Sequence, residues 1–110
     1  MKIEDKKEYA LVHFDDTSFD DFLLNFEKEH FNFKEKHLIV KISEKNNVSK
    51  ENILLFLKYA QVHQTNGTSF VIVLKDVNID EFPESLNIAP TLVEAEDIIE
   101  MENIQRDLGF

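Results

Sequence analysis

The sequence predicts an α/β protein built around a mostly parallel sheet. Three observations carry that expectation. Short apolar runs rich in β-branched and aromatic residues, such as Leu38-Ile39-Val40 and Phe70-Val71-Ile72-Val73, recur along the chain. Longer stretches between them place apolar residues at helical spacing, which supplies the crossovers that parallel strands need. Only two glycines and two prolines occur among 110 residues, with no low-complexity linker, internal repeat or composition break, so a single domain over residues 1–110 is expected.

Tyr9-Ala10-Leu11-Val12-His13-Phe14 reads as the first strand, closed by Asp15-Asp16-Thr17-Ser18. Thr17 or Ser18 can cap a helix there, and Asp20 and Asp21 sit in its first turn, where the helix dipole favours negative charge. Phe19, Phe22, Leu23, Phe26 and His30 mark its inner face, and it should end near Asn32. His37 to Ser43 reads as the second strand; its nearly continuous apolar run suits a central strand covered on both faces. Ser49 is placed to cap the next helix, with Val48 and Ile53 in hydrophobic-staple positions around it. Ile53, Leu54, Phe56, Leu57 and Ala60 form its inner stripe, and Asn66-Gly67 is its stop.

Ser69 to Lys75 is the third strand. Residues 76–86 hold a short helix at most, lined by Ile79, Phe82 and Leu86 and limited by Pro83. Asn87-Ile88-Ala89 is a short fourth strand. Thr91 and Glu94 have capping-box spacing at the start of the last helix. There Leu92, Ala95, Ile98, Ile99 and Ile104 are expected to face inward, and Glu94, Asp97, Glu100 and Glu102 outward. The expected order is β-α-β-α-β-(α)-β-α, about four strands with three to four helices.

Charge excludes one large class of partner. Twenty-two acidic residues against twelve basic ones give a formal charge of -10. Nucleic-acid binding needs a basic footprint, and Lys2, Lys6 and Lys7 are interleaved with Glu4, Asp5 and Glu8. An anionic membrane surface is disfavoured for the same reason. No apolar run approaches the roughly 18 residues of a membrane span, and MKIEDKKEY has no signal-peptide core, so a cytoplasmic protein is expected. The absence of cysteine removes disulfides, thiolate metal sites and a cysteine nucleophile.

Few constellations carry chemistry. Gly67 and Gly109 stand alone, so a glycine-rich phosphate loop cannot be built. His13, His30, His37 and His63 include no pair at local metal-binding spacing, and no metal or cofactor is expected. Asp15, Asp16, Asp20 and Asp21 follow the first strand, where a phospho-accepting, Mg²⁺-binding site would put its acids; Ser43 stands where such a site would want another acid. The last helix is strongly acidic, and Glu94, Asp97 and Glu100 read either as a solvated face or as a docking face for a basic partner, with Met101 and Phe110 as apolar anchors in the second reading. Ser49 is a plain helix cap or a phosphorylation site; a phosphoserine there would be tolerated by the helix dipole and would change a docking surface.

The stretch LIVKISEKNNVSKENILLFLKYAQVHQTNGTSFVIV, residues 38–73, resembles a STAS domain, the fold of bacterial anti-sigma-factor antagonists. It has that family's strand, polar loop, capped helix, Asn/Gly stop and apolar strand. The segment PTLVEAEDIIEMENIQRDLGF resembles the family's closing strand and last helix. The resemblance implies a STAS-like α/β domain that binds a kinase-type anti-sigma factor or similar regulatory protein. The family's Asp-Ser-Ser-Gly motif falls, without gaps, on Ser49, Lys50, Glu51 and Asn52, so neither serine position keeps a hydroxyl and only Ser49 supplies one nearby. The tail also resembles short bacterial proteins labelled ribonuclease Z, but the His-x-His-x-Asp-His zinc motif of that enzyme does not occur in the chain.

These readings converge on a non-enzymatic interaction module. Its interaction loop would comprise Asn46, Asn47, Ser49, Lys50, Glu51 and Asn52, with Ser49 as the phosphorylation site. The alternatives are a phospho-accepting or hydrolase-accessory protein using Asp15 and Asp16, an accessory partner of a ribonuclease, and a homodimer or scaffold assembled through the last helix.

Overall fold

The computed structural model describes residues 1–15, 18–43, 46 and 48–109. In chain order the elements are β1 (Lys2–Asp5), β2 (Ala10–Phe14), α1 (Phe19–His30), β3 (Leu38–Ile42), α2 (Lys50–Leu54), α3 (Leu57–Asn66), β4 (Phe70–Val73), a 3₁₀ turn (Ile79–Glu81), β5 (Asn87–Ala89) and α4 (Leu92–Asp107). The α/β expectation holds, with a five-stranded, mostly parallel sheet.

The strands lie side by side in sequence order. β2, β3, β4 and β5 are parallel, and β1 pairs antiparallel with β2. Each parallel step moves one strand in the same direction. Right-handed crossovers then lay α1 and the α2–α3 pair on one face of the sheet. Burial follows that division. Val12, Phe14, Leu38, Val40, Phe70 and Ile72 meet Phe22, Phe26, Ile53, Phe56 and Tyr59 in the larger core. Leu11, Ile39, Val71, Val73 and Ala89 meet Ala95 and Ile99 of α4 on the other face. The alternation of neighbouring residues between the two cores is the period-2 signature of a sheet covered on both sides.

The caps explain the helix limits. Ser18 caps α1, its hydroxyl accepting from the Asp21 N–H at 3.2 Å; the other expected cap, Thr17, lies outside the described residues. α1 ends at His30, two residues before the expected stop, and turns carry the chain to β3. Thr91 caps α4 by accepting from the Glu94 N–H at 3.2 Å. Gly67, at φ 77°, closes α3 in the left-handed conformation that only glycine enters at no steric cost.

Four expectations are corrected. β1 joins the sheet as a fifth strand, although KIED carries one apolar residue; the ladder to β2, and not burial, holds it. The second helix is two segments, because Leu55 and Phe56 form a tight turn in which the Leu55 N–H donates to the Asn52 carbonyl at 3.2 Å and the Phe56 N–H to the Ile53 carbonyl at 3.0 Å. Ile79 does not line an inner face: it is exposed on a single 3₁₀ turn that Pro83 follows. On α4, Ile104 is 53% exposed and Glu102 turns inward, the reverse of their expected places. Glu102 accepts from Ser69 Oγ at 2.6 Å and from Asn87 Nδ2 at 3.0 Å, and Arg106 donates to the same Ser69 oxygen at 3.0 Å. This polar set ties α4 to the edges of β4 and β5.

Candidate functional site

In an open parallel sheet the carboxyl ends of the strands face one edge, and the loops that leave them form the default binding surface. Here that edge gathers Asp15 after β2, Ser43 after β3, Lys75 after β4 and Pro90-Thr91 after β5. These residues, with His13, Phe14, Lys41, Ile42, Val73 and Leu92, line a cavity of about 620 Å³. The volume falls within the usual range for small-ligand pockets.

One row of the sheet shapes the cavity. His13, Lys41 and Val73 are register partners across β2, β3 and β4. Val73 belongs to the core beneath α4, so His13 and Lys41 lie on that same face. α4 packs on β4 and β5, which leaves this end of β2 and β3 to water. His13 Nε2 is 2.8 Å from Glu4 Oε2 on β1, and this hydrogen bond holds the Glu4 carboxyl below the usual carboxylate range. Lys41 is exposed in the middle of a sheet whose other β3 residues are buried. Among the described residues it has no ion-pair or hydrogen-bond partner.

The expected interaction loop leaves the same edge. The Ser43 N–H donates to the Phe14 carbonyl at 3.0 Å and the Asn46 N–H to the Ser43 carbonyl at 3.0 Å. With its amide nitrogen turned inward, the Asn46 side chain donates to the Phe14 and Asp15 carbonyls at 3.2 and 3.1 Å. Asn46 is therefore an anchor of the loop. Ser49 and Asn52 cap α2 reciprocally: Ser49 Oγ accepts from the Asn52 N–H at 3.1 Å, and Asn52 Oδ1 accepts from the Ser49 N–H at 3.3 Å. Ser49, Lys50 and Glu51 are exposed. Asn47 lies outside the described residues, as do Asp16 and Phe110.

Asp15 faces the cavity beside Ser43 and Lys75. Among the described residues no group of three histidine or acidic side chains is placed to hold a metal ion. Glu94, Asp97 and Glu100 are exposed on α4, as their spacing predicts. Val93, Met101, Ile104 and Leu108 are exposed with them and share one side of the helix, opposite Ala95 and Ile99.

Two histidines with no sequence signal meet in the larger core. His30 at the end of α1 and His63 near the end of α3 are buried, with Nε2 atoms 2.8 Å apart. His63 Nδ1 lies 2.8 Å from Thr68 Oγ1, whose hydroxyl donates to the His63 carbonyl at 3.3 Å. The Thr68 oxygen then accepts from His63 Nδ1–H, so His63 Nε2 accepts from His30 Nε2–H. Burial holds both rings neutral, with their pKa values pushed down to about 4. The Phe26 and Tyr59 rings pack against His30 at 5.4 and 4.7 Å between centroids. The pair is a structural clasp between two helix ends. A separation of 33 residues gave no local spacing by which to find it.

No helix among the described residues is long and apolar enough to cross a membrane. The chain matches no protein-family model and no curated protein. Fold and site geometry therefore define its class as an α/β protein with a loop-bearing carboxyl edge.

Proposed function

We propose that this chain is a non-enzymatic, STAS-like interaction module of the cytoplasm. It engages a regulatory protein of the anti-sigma kinase type through the polar loop and first turn of α2. One observation carries the reading: the Ser49–Asn52 cap fixes α2 rigidly while Lys50 and Glu51 project with no internal partner among the described residues. Charged side chains presented on a fixed backbone cost little ordering entropy on binding. The order of strands and helices and the position of this loop support the resemblance in residues 38–73. The exposed hydroxyl of Ser49 is accessible to a kinase, and a phosphate there would add about two negative charges to the surface that a partner meets.

The test is capture of partners from native lysate by the full chain, read by mass spectrometry, comparing wild type with Ser49→Asp and with Lys50→Ala/Glu51→Ala. Aspartate is as good a helix cap as serine, so Ser49→Asp keeps α2 while adding charge. The expected result is a regulatory kinase captured by wild type and lost from both variants. Equal capture by wild type and Lys50→Ala/Glu51→Ala would refute the loop as the docking element. Equal capture by Ser49→Asp would leave the module and remove the switch.

A further inference from the structure

A lysine in the interior of a parallel sheet needs a reason, because such strands are normally covered on both faces. Lys41 sits between two buried residues of β3, on a chain of net charge -10, and pairs with no acid among the described residues. It also lines the cavity at the carboxyl edge, where Asp15 is the lone lining carboxylate among the described residues. The first turn of the sixteen-residue α4 points its positive dipole end to the same place. Beside Lys41 the lining is apolar at Val73, its register neighbour on β4, and at Pro90 and Leu92.

We propose that this cavity binds a small organic anion, its charged group held by Lys41 and its apolar body laid against Val73, Pro90 and Leu92. The ligand class follows from this mixed lining, one ammonium beside an apolar surface. An inorganic anion would leave the apolar wall wet, and a neutral apolar molecule would leave Lys41 unpaired. The cavity adjoins the start of the polar loop at Ser43, but Lys41 is not one of the residues altered in the docking test at Ser49, Lys50 and Glu51, so either assignment can fail while the other stands.

Octanoate serves as the probe, titrated at pH 7 into ¹⁵N-labelled full-length protein and followed by amide chemical shifts. Saturable shifts are expected at His13, Lys41, Val73, Lys75 and Leu92. Lys41→Gln should weaken binding about tenfold, as loss of one charge-assisted contact would. Lys41→Arg should restore it, and Lys58→Gln on α3 should leave it unchanged. Octanol and inorganic phosphate should each bind more weakly than octanoate. Shifts confined to the exposed apolar side of α4, undiminished binding by a folded Lys41→Gln, or phosphate binding as tightly as octanoate would each overturn the assignment.

Discussion

At the scale of single residues, the buried histidine pair has the sharpest consequence. His30 and His63 have pKa values of about 4 when folded, against an ordinary value near 6.5. Between those limits each ring binds more protons in the unfolded chain than in the folded one, so the pair's contribution to stability falls as pH falls. From pH 7 to pH 5 each ring contributes a loss on the order of 2 kcal/mol, set mainly by protonation of the unfolded chain. Urea denaturation at the two pH values should show the drop, and His63→Gln should remove much of its pH dependence. Gly67 supplies a second residue-scale prediction. A methyl group there meets nothing within 4 Å, so Gly67→Ala carries only the strain of φ 77°. The expected cost is about 1 kcal/mol by thermal or urea unfolding, with no change in fold.

At the scale of elements, α4 separates burial from composition. Its inner residues Ala95 and Ile99 are buried against β4 and β5, while Ile104 is 53% exposed. Ile99→Ala should cost about 2–5 kcal/mol, through lost apolar contact and the cavity left behind. Ile104→Ala should cost within about 0.5 kcal/mol, as surface substitutions do. Urea midpoints of the two variants decide the point, and equal costs would contradict the placement of the helix. α1 is held in another way. Phe22 stacks on Phe14 at 4.5 Å between centroids, and Phe26 meets Phe56 and Tyr59 edge to face at 5.5 and 4.8 Å. Phe26→Ala should be among the most damaging changes in the chain, at about 3–5 kcal/mol, measured by the same unfolding experiment.

At the scale of the whole molecule, net charge dominates. Twenty-two acidic and twelve basic residues leave ten negative charges uncompensated. The ion pairs Lys58–Glu27 and Lys36–Asp5, at 3.1 and 4.0 Å, are exposed and contribute little. Self-repulsion acts over the whole surface and is screened by salt. The melting temperature should therefore rise between low salt and about 0.5 M sodium chloride, and a fall would show that local ion pairs outweigh the global field. The same field disfavours a second copy of the chain against α4. A partner that brings positive charge to Glu94, Asp97 and Glu100 suits that helix better.

The α/β class, the parallel strands from β2 to β5, the Ser49 and Thr91 caps and the Gly67 stop were all legible in the residue order. The element types, caps and stop rest on neighbours within about four residues, where periodicity, side-chain capping and backbone freedom act directly, and the parallel order rests on the helical crossovers between strands. The exposure of Ser49, Lys50 and Glu51 belongs to the same local logic. The remaining features arise from the docking of elements against one another. β1 has almost no apolar pattern and becomes a strand because β2 offers it an unpaired edge. Ile104 and Glu102 exchange their expected places because α4 docks through Ala95 and Ile99, which turns Ile104 to the opposite side, while Ser69, Asn87 and Arg106 supply polar partners for Glu102. His30 and His63 meet, and Lys41 comes to stand over an open cavity, through contacts between residues far apart in the chain. Such contacts depend on how elements dock, and hydrophobic periodicity fixes only which face of an element is buried, not what that face will meet.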